Sequence, residues 1–205
     1  MILFETCLVI ACVISSTISC PSKCYCVWFP KNTRVRVVRV GCLSRGLTAV
    51  PKGLPPQTYV LDLSGNDIRH LHRNDFKRLS LLYRLVLCGT NLTSIGSNTF
   101  VELTYLRYLS LSDNRIMSLK KDAFAPLNHL KFLSLSNNMI TRIHPQAFRG
   151  LAALKMLTLE GNRLSAINGS VFKYTPILEK LNLRENSITF CRWEHIFKWN
   201  APKRT

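Results

Sequence analysis

The chain has 205 residues, of which 47% are hydrophobic and 9% aromatic, a composition that is typical of a globular domain and excludes a low-complexity chain. Twenty-eight Lys and Arg against eleven Asp and Glu give a formal net charge of +17. Such an excess favours anionic partners, which include sulfated glycans, anionic membranes, acidic proteins and nucleic acids, but it identifies none of them.

Residues 1–19 have the pattern of a secretory signal peptide. An apolar run from Cys7 to Ile14 is followed by small residues suited to cleavage after Ser19. The segment before the run carries Glu5 and no Lys or Arg, so a signal anchor is the alternative, although the run is short for a membrane span. No later apolar stretch is long enough to cross a bilayer, and we expect no transmembrane segment after signal removal.

Residues 20–57 are predicted to form an N-terminal cap that contains four clustered cysteines, Cys20, Cys24, Cys26 and Cys42. Their C-x3-C-x-C-x15-C spacing directly after a secretory signal favours disulfides, and a zinc site is the alternative.

The fifteen residues between Cys26 and Cys42 predict a β-hairpin. Turn residues begin at Pro30, and segment 34–40 is rich in valine and arginine with strand-like character. One interpretation is an edge strand that its arginines keep soluble. The other is an anion-binding finger, in which the polyanion-binding residues would be Arg34, Arg36 and Arg39.

Residues 58–188 form six units that repeat every 24 residues without a gap. We number positions within a unit from 1, so that Leu82 stands at position 1 of the second unit. Positions 4 and 6 are leucine in all six units, position 9 is asparagine except at Thr90, and position 19 is phenylalanine from Phe76 to Phe172. The LxL pair predicts a short strand with inward leucines, the asparagine a turn whose backbone it satisfies, and the phenylalanines a column across the core. A looser turn is expected at Thr90.

This LxxLxLxxNxL pattern, preceded by the CPSKCYC segment, resembles the extracellular leucine-rich repeat superfamily of the Slit, small proteoglycan, Nogo receptor and Toll-like receptor type. The resemblance implies an α/β-type solenoid, a curved array with short parallel strands on its concave face. It also implies two disulfides in the cap, Cys20–Cys26 and Cys24–Cys42.

Positions 3, 5, 7, 8 and 10 are expected on the concave face, because strand side chains alternate between the two sides. Position 3 places two aromatic residues and a methionine side by side above small hydroxyl residues, with charged residues around them. Scattered apolar residues are normal on any surface, but this composition is that of a protein-binding hot spot. The predicted partner-binding residues are Arg84, Tyr108, Asp113, Arg115, Phe132, Met156, Arg163 and Lys180.

Three further features accompany this face. Cys88 lies beside the apolar stripe. It is either a half-buried hydrophobic residue or one of the two cysteines of an intermolecular disulfide. Asn91 and Asn168 begin N-glycosylation sequons, Asn168 on the outer side and Asn91 at the edge of the concave face. A glycan on Asn91 would push the partner towards the C-terminal repeats.

Residues 189–205 resemble the start of the superfamily's C-terminal cysteine cap, with Thr189 where its first cysteine would stand. A helix over residues 192–199 is expected to cover the last repeat, and Cys191 has no obvious partner. Either the chain is shortened relative to its relatives, as in a secreted short form of a larger receptor ectodomain, or Cys191 bonds another molecule.

No P-loop, dinucleotide-binding, GxSxG or HExxH motif is present, so we predict neither an enzyme nor a cofactor or metal site. We predict a secreted protein of the extracellular space or matrix whose concave face binds an extracellular protein ligand or receptor, and not nucleic acid. The alternative is a matrix protein that binds heparan sulfate or another sulfated glycan through its basic surface.

Overall fold

A computed structural model of the chain describes residues 20–30 and 36–192. The strands in this part of the chain are β1 (Tyr25–Pro30), β2 (Arg36–Gly41), β3 (Thr58–Asp62), β4 (Arg84–Val86), β5 (Tyr108–Ser110), β6 (Ser118–Leu119), β7 (Phe132–Ser134), β8 (Arg142–Ile143), β9 (Met156–Thr158), β10 (Ala166–Asn168), β11 (Lys180–Asn182) and β12 (Phe190–Arg192). The predicted signal peptide, Arg34 and the C-terminal helix over 192–199 lie outside or at the end of the described residues.

The repeats stack as turns of a curved solenoid, with one main strand in each unit. Eight strands form one sheet in the order β1-β2-β3-β4-β5-β7-β9-β11, parallel throughout except for the antiparallel β1–β2 hairpin. Neighbouring strands from β3 onwards pair residues that are 24 apart, such as Leu109 with Leu133. Short parallel pairs, β6–β8 and β10–β12, form two further small sheets. The predicted strand stacking is confirmed.

Leucines and phenylalanines fill the core between these sheets. The position 4 and 6 leucines of the first five units have no exposed surface. The five phenylalanines at position 19 form the expected column, with successive ring centroids 6.1, 6.2, 6.3 and 6.0 Å apart. Each ring contacts the next, so every unit contributes to the burial of its neighbours.

The asparagine ladder at position 9 joins consecutive units, as the sequence predicts. Asn138 Nδ2 donates to the carbonyls of Leu135 in its own unit and Leu111 in the preceding unit, at 3.1 and 2.9 Å. Its Oδ1 accepts the N–H of Ile116 at 3.1 Å. Thr90 replaces this amide with a hydroxyl that donates to the carbonyl of Leu87, and Thr90 is fully buried. The turn at Thr90 is therefore closed by the side chain rather than left open to solvent.

The cap is held by the two predicted disulfides, Cys20–Cys26 and Cys24–Cys42. The predicted hairpin is also present, but its arginine-bearing strand is not the edge strand. β2 pairs with β1 on one side and with β3 on the other, which leaves β1 at the edge. Trp28 on β1 packs against the core, so the hairpin covers the first repeat and continues the sheet.

The connections opposite the sheet contain almost no helix, although an α/β-type solenoid was expected. Within the described residues the single helix is the four-residue 3-10 helix Gly169–Phe172. In four successive units the N–H of the position 22 leucine donates to the position 19 carbonyl, three residues back. A 24-residue unit leaves about ten residues for this crossing, and the inward phenylalanine and leucine use them in tight turns instead of an α-helix.

Candidate concave binding surface

The position 3 side chains form one row across the concave sheet. Strand pairing places Val60, Arg84, Tyr108, Phe132, Met156 and Lys180 on adjacent strands, in that order. Each directly precedes the inward leucine of position 4, and all six are half-buried or exposed, so they face away from the core. Five of the eight predicted partner-binding residues therefore share a single row, which we call the position 3 row.

The centre of this row is a stacked aromatic pair. The ring centroids of Tyr108 and Phe132 are 4.4 Å apart with an interplanar angle of 17°, and both side chains are half-buried. The guanidinium carbon of Arg84 lies 5.1 Å from the centroid of the Tyr108 ring. Stacking orders the two rings before a partner arrives, which reduces the conformational entropy lost on binding.

Hydroxyl groups form a hydrogen-bonded network beside this pair. Ser112 is linked to Ser134, Ser134 to Thr158, and Thr158 to Ser136, with oxygen–oxygen distances of 2.5, 3.0 and 2.7 Å. The network saturates much of the hydrogen-bonding capacity of these hydroxyls within the surface. A partner that covers it therefore leaves few of the hydroxyls without a hydrogen bond.

The other three predicted partner-binding residues lie at the rim where the strands end. Asp113 occupies the turn at position 8, and its Oδ1 accepts a hydrogen bond from Asn137 Nδ2 at 2.9 Å. Arg115 and Arg163 are exposed at position 10, just after the ladder asparagine. The backbone N–H of each donates to a backbone carbonyl of the preceding unit. The structure thus separates them from the position 3 row.

The turn at position 8 has a backbone requirement that the sequence analysis missed. Every unit has a positive φ there, with values between 53° and 68°, at Gly65, Gly89, Asp113, Asn137, Gly161 and Glu185. Glycine, asparagine and aspartate tolerate this left-handed conformation better than other residues, and five of the six positions carry one of them. That residue preference was the available signal, and it makes position 8 primarily a turn position.

The cap extends the concave surface by two strands. Arg39 pairs with Val60 and with Val27, so the position 3 row continues onto the hairpin. Val27 and Tyr25 on β1 are both exposed. The Tyr25 ring lies over Gly41, where a Cβ atom would collide with it. These residues were not predicted as part of the surface.

Two of the three predicted polyanion-binding residues, Arg36 and Arg39, lie on β2 with exposed side chains. Arg39 continues the position 3 row, whereas Arg36 pairs with Pro30 at the other end of the strand. The register shifts between Val38 and Arg39, and Val37 and Val38 are both buried, so simple alternation does not hold along β2. Arg34 lies outside the described residues.

The leucine rich repeat family model matches the chain three times, at residues 56–116, 80–139 and 104–164. Together these matches span residues 56–164, more than half of the chain. This chain belongs to the leucine-rich repeat family.

Curated relatives of this leucine-rich repeat chain include biglycan from Sus scrofa, 46% identical over 67 residues, and biglycan from Homo sapiens, 45% identical over 67 residues. Both alignments cover 33% of this chain, and they cover 21% and 16% of the respective biglycan sequences. The chain therefore spans a small part of the length of these relatives.

Two solved structures share the fold at 29% sequence identity. A crystal structure of a TLR13–ssRNA13 complex has a TM-score of 0.68, and the match covers 81% of this chain and 25% of that chain. The Toll–Spatzle complex, described as a hub in Drosophila development and innate immunity, has a TM-score of 0.64, covering 72% and 22%. Both neighbours have the repeat architecture seen in this leucine-rich repeat chain.

Cys88 on this leucine-rich repeat surface is held as a neutral thiol. Its Sγ is half-buried and donates to Asp113 Oδ2 at 2.9 Å. Burial, followed by the hydrogen bond and the charge of Asp113, raises the pKa of the Cys88 thiol to about 12. Because the thiolate is the reactive form, Cys88 is poorly suited to disulfide exchange at neutral pH.

We therefore expect Cys88 to be alkylated by iodoacetamide at pH 8.5 at least about a hundredfold more slowly than an unperturbed thiol, which is about half ionised there. Asp113→Asn keeps a residue that tolerates the left-handed turn but removes the charge, and it should raise the rate about tenfold. Mass spectrometry of the Cys88 peptide over time measures both rates. Equal rates for the two proteins would show that Asp113 does not control the thiol.

The two sequons differ in accessibility. Asn168 is exposed and caps the 3-10 helix, its Oδ1 accepting the N–H of Ser170 at 2.9 Å. Asn91 is half-buried, has a φ of 59°, and its Nδ2 donates to Asp67 Oδ1 at 3.0 Å. Asn168 is therefore the more open acceptor of the two.

Residues 20–30 and 36–192 contain neither a membrane-spanning helix nor a cluster of metal-binding side chains. No helix there combines the length and apolarity that crossing a membrane requires. No group of three or more His, Cys, Asp or Glu side chains there is placed to hold a metal ion.

Proposed function

We propose that this chain is a secreted binding protein, not an enzyme, whose concave face engages an extracellular protein partner through the position 3 row. The observation that carries the proposal is the stacked Tyr108–Phe132 pair, half-buried at the centre of the concave sheet with Arg84 beside it. Aromatic and arginine side chains in such central positions dominate the energy of protein interfaces.

Two further observations support this function. The disulfides Cys20–Cys26 and Cys24–Cys42 favour an oxidising compartment such as the extracellular space. The Toll–Spatzle complex is a protein complex whose matched chain shares this architecture, and we extend protein binding from it to this chain as part of the proposal.

The test is the double variant Tyr108→Ala/Phe132→Ala, compared with wild type for binding to a panel of cultured cells in physiological salt. Loss of two central aromatic anchors is expected to weaken binding about a hundredfold or more. Because both side chains are only half-buried, thermal unfolding should show that the variant still folds.

The matched control is Met117→Ala/Ile177→Ala, which removes two exposed apolar side chains from outside the concave strands. Its affinity should stay within about threefold of wild type, since isolated surface contacts contribute little. If the two double variants bind equally well, the concave face is not the binding surface.

A further inference from the structure

Positive charge is concentrated in one convex segment of the repeat array. Residues 69–78 read RHLHRNDFKR, with four arginines and lysines, two histidines and one aspartate. The equivalent segments 93–102, 117–126, 141–150 and 165–174 contain none, two, two and one arginine or lysine, respectively. The basic character of this segment therefore belongs to the first unit and is not a general property of the repeat.

The structure leaves most of these charges available to a ligand. Arg69 donates to both carboxylate oxygens of Asp67, at 3.1–3.2 Å, and is already paired. The Asp75 carboxylate accepts the backbone N–H of His72 at 2.6 Å and so closes its own turn. Five exposed residues remain, which we call the basic strip: His70, His72, Arg73, Lys77 and Arg78.

The backbone beneath the basic strip is fixed by the core. Phe76 is fully buried in the aromatic column, and Leu71 is packed against the core cluster. Both apolar side chains of the segment therefore point inward. The strip presents charge and hydrogen-bond donors on an ordered backbone, without an exposed large apolar side chain.

Arg78 occupies a position that would suit glycine better. Its φ is 71°, and the equivalent residue of the fourth unit is Gly150, with a φ of 88°. A side chain in the left-handed region is disfavoured by clashes that glycine avoids. The fold thus carries a strained arginine at the end of the basic strip.

We propose that the basic strip binds a linear sulfated polysaccharide. Arginine and lysine recognise sulfate oxygens through charge-assisted hydrogen bonds, and a row of them matches a chain of repeated anionic groups. A membrane-binding surface would combine such charges with exposed apolar side chains, which this segment lacks. The strip lies on the convex side of the first unit, so it is independent of the concave protein-binding surface.

The test measures affinity of the purified chain for a size-defined heparin oligosaccharide at physiological salt. Arg73→Gln/Lys77→Gln/Arg78→Gln should bind about tenfold to a hundredfold more weakly than wild type. The control Lys120→Gln/Lys121→Gln/Arg142→Gln removes the same net charge from two other convex segments, and its loss should not exceed about threefold. Equal losses in the two triple variants would overturn the proposal, because binding would follow net charge alone.

Arg78→Gly tests the site without risk to the fold. Glycine suits the left-handed backbone, so the melting temperature should stay the same or rise, while oligosaccharide affinity falls about threefold to tenfold. If the oligosaccharide affinity is unchanged, Arg78 is not part of the site and the proposed basic strip is wrong.

A last experiment measures binding of the same proteins to vesicles that contain phosphatidylserine. We expect the strip variant to lose oligosaccharide binding whether or not it also loses vesicle binding. If it loses vesicle binding but keeps oligosaccharide binding, the strip is a membrane contact and the polysaccharide proposal is wrong.

Discussion

Replacing Phe124 by alanine is expected to lower the free energy of unfolding by about 3–5 kcal/mol. Phe124 is the middle ring of the column, fully buried, with neighbouring ring centroids at 6.2 and 6.3 Å. The substitution removes the apolar surface of the ring and leaves a cavity that contacts two adjacent units. In a solenoid the loss cannot be shared with distant units, because each unit contacts only its neighbours.

Thermal and urea unfolding followed by circular dichroism measure this effect. For a chain of this size, about 2–4 °C of melting temperature per kcal/mol gives a fall of roughly 6–20 °C. Phe190→Ala is the control, since Phe190 is exposed and its loss should change stability by no more than about 0.5 kcal/mol. A Phe124→Ala protein as stable as the Phe190→Ala protein would contradict the packing described for the column.

Replacing Asn138 by alanine is expected to cost about 2–4 kcal/mol, although no apolar surface is lost. The side chain satisfies the buried carbonyls of Leu111 and Leu135 and the N–H of Ile116. Removing it leaves these backbone groups without their partners inside the solenoid, where water does not replace them readily. Urea unfolding of the two proteins measures the difference.

Asn138→Thr is the informative comparison, because Thr90 shows what a hydroxyl can do at position 9. The Thr90 hydroxyl reaches the carbonyl of Leu87 in its own unit. We therefore expect Asn138→Thr to be less destabilising than Asn138→Ala. Exposed Asn128 provides a control, and Asn128→Ala should be near neutral. If threonine and alanine at position 138 are equally destabilising, the hydrogen-bond account of the ladder is wrong.

The repeat array was predictable because its period is fixed by the core. A leucine that must be buried at positions 4 and 6, and a phenylalanine at position 19, recur every 24 residues. Strand stacking follows directly from that spacing, and so does the position 3 row, since residues 24 apart become neighbours. The Tyr108–Phe132 contact was therefore readable from the sequence.

The cap was less predictable because it does not follow the period. β2 joins β3 through an irregular register between Val38 and Arg39, and this shift decides that Arg39 enters the concave row. No sequence pattern marks such an irregularity, so Arg39 was grouped with Arg34 and Arg36, either on a soluble edge strand or in an anion-binding finger. The turns at position 8 were missed for a different reason. Their glycine, asparagine and aspartate residues were visible in the sequence. The in-and-out alternation of strand side chains was, however, applied to residues beyond the end of the strand.

A second aromatic ladder also escaped the sequence analysis. A row of ring contacts where the strands begin joins Phe29 of the cap, Tyr59 and Tyr83 at position 2 of the first two units, and Tyr105 at the last position of the second unit. The Tyr59 and Tyr83 ring centroids are 4.9 Å apart. Burial, with the neighbouring phenols, raises the pKa of the Tyr59 hydroxyl. The Tyr59–Tyr83 contact follows the 24-residue spacing. Tyr83 and Tyr105 stand at the second and last positions of the same unit, so their proximity depends on the path of the chain back to the sheet and not on that spacing.

The central claim, that the concave row binds a protein, is tested most directly by cell binding before and after heparinase treatment. The account predicts that wild-type binding persists on treated cells, reduced by whatever the sulfated polysaccharides contribute. It also predicts that Tyr108→Ala/Phe132→Ala abolishes the remaining binding. If heparinase removes all wild-type binding, polysaccharides account for the interaction and a concave protein partner on these cells is contradicted.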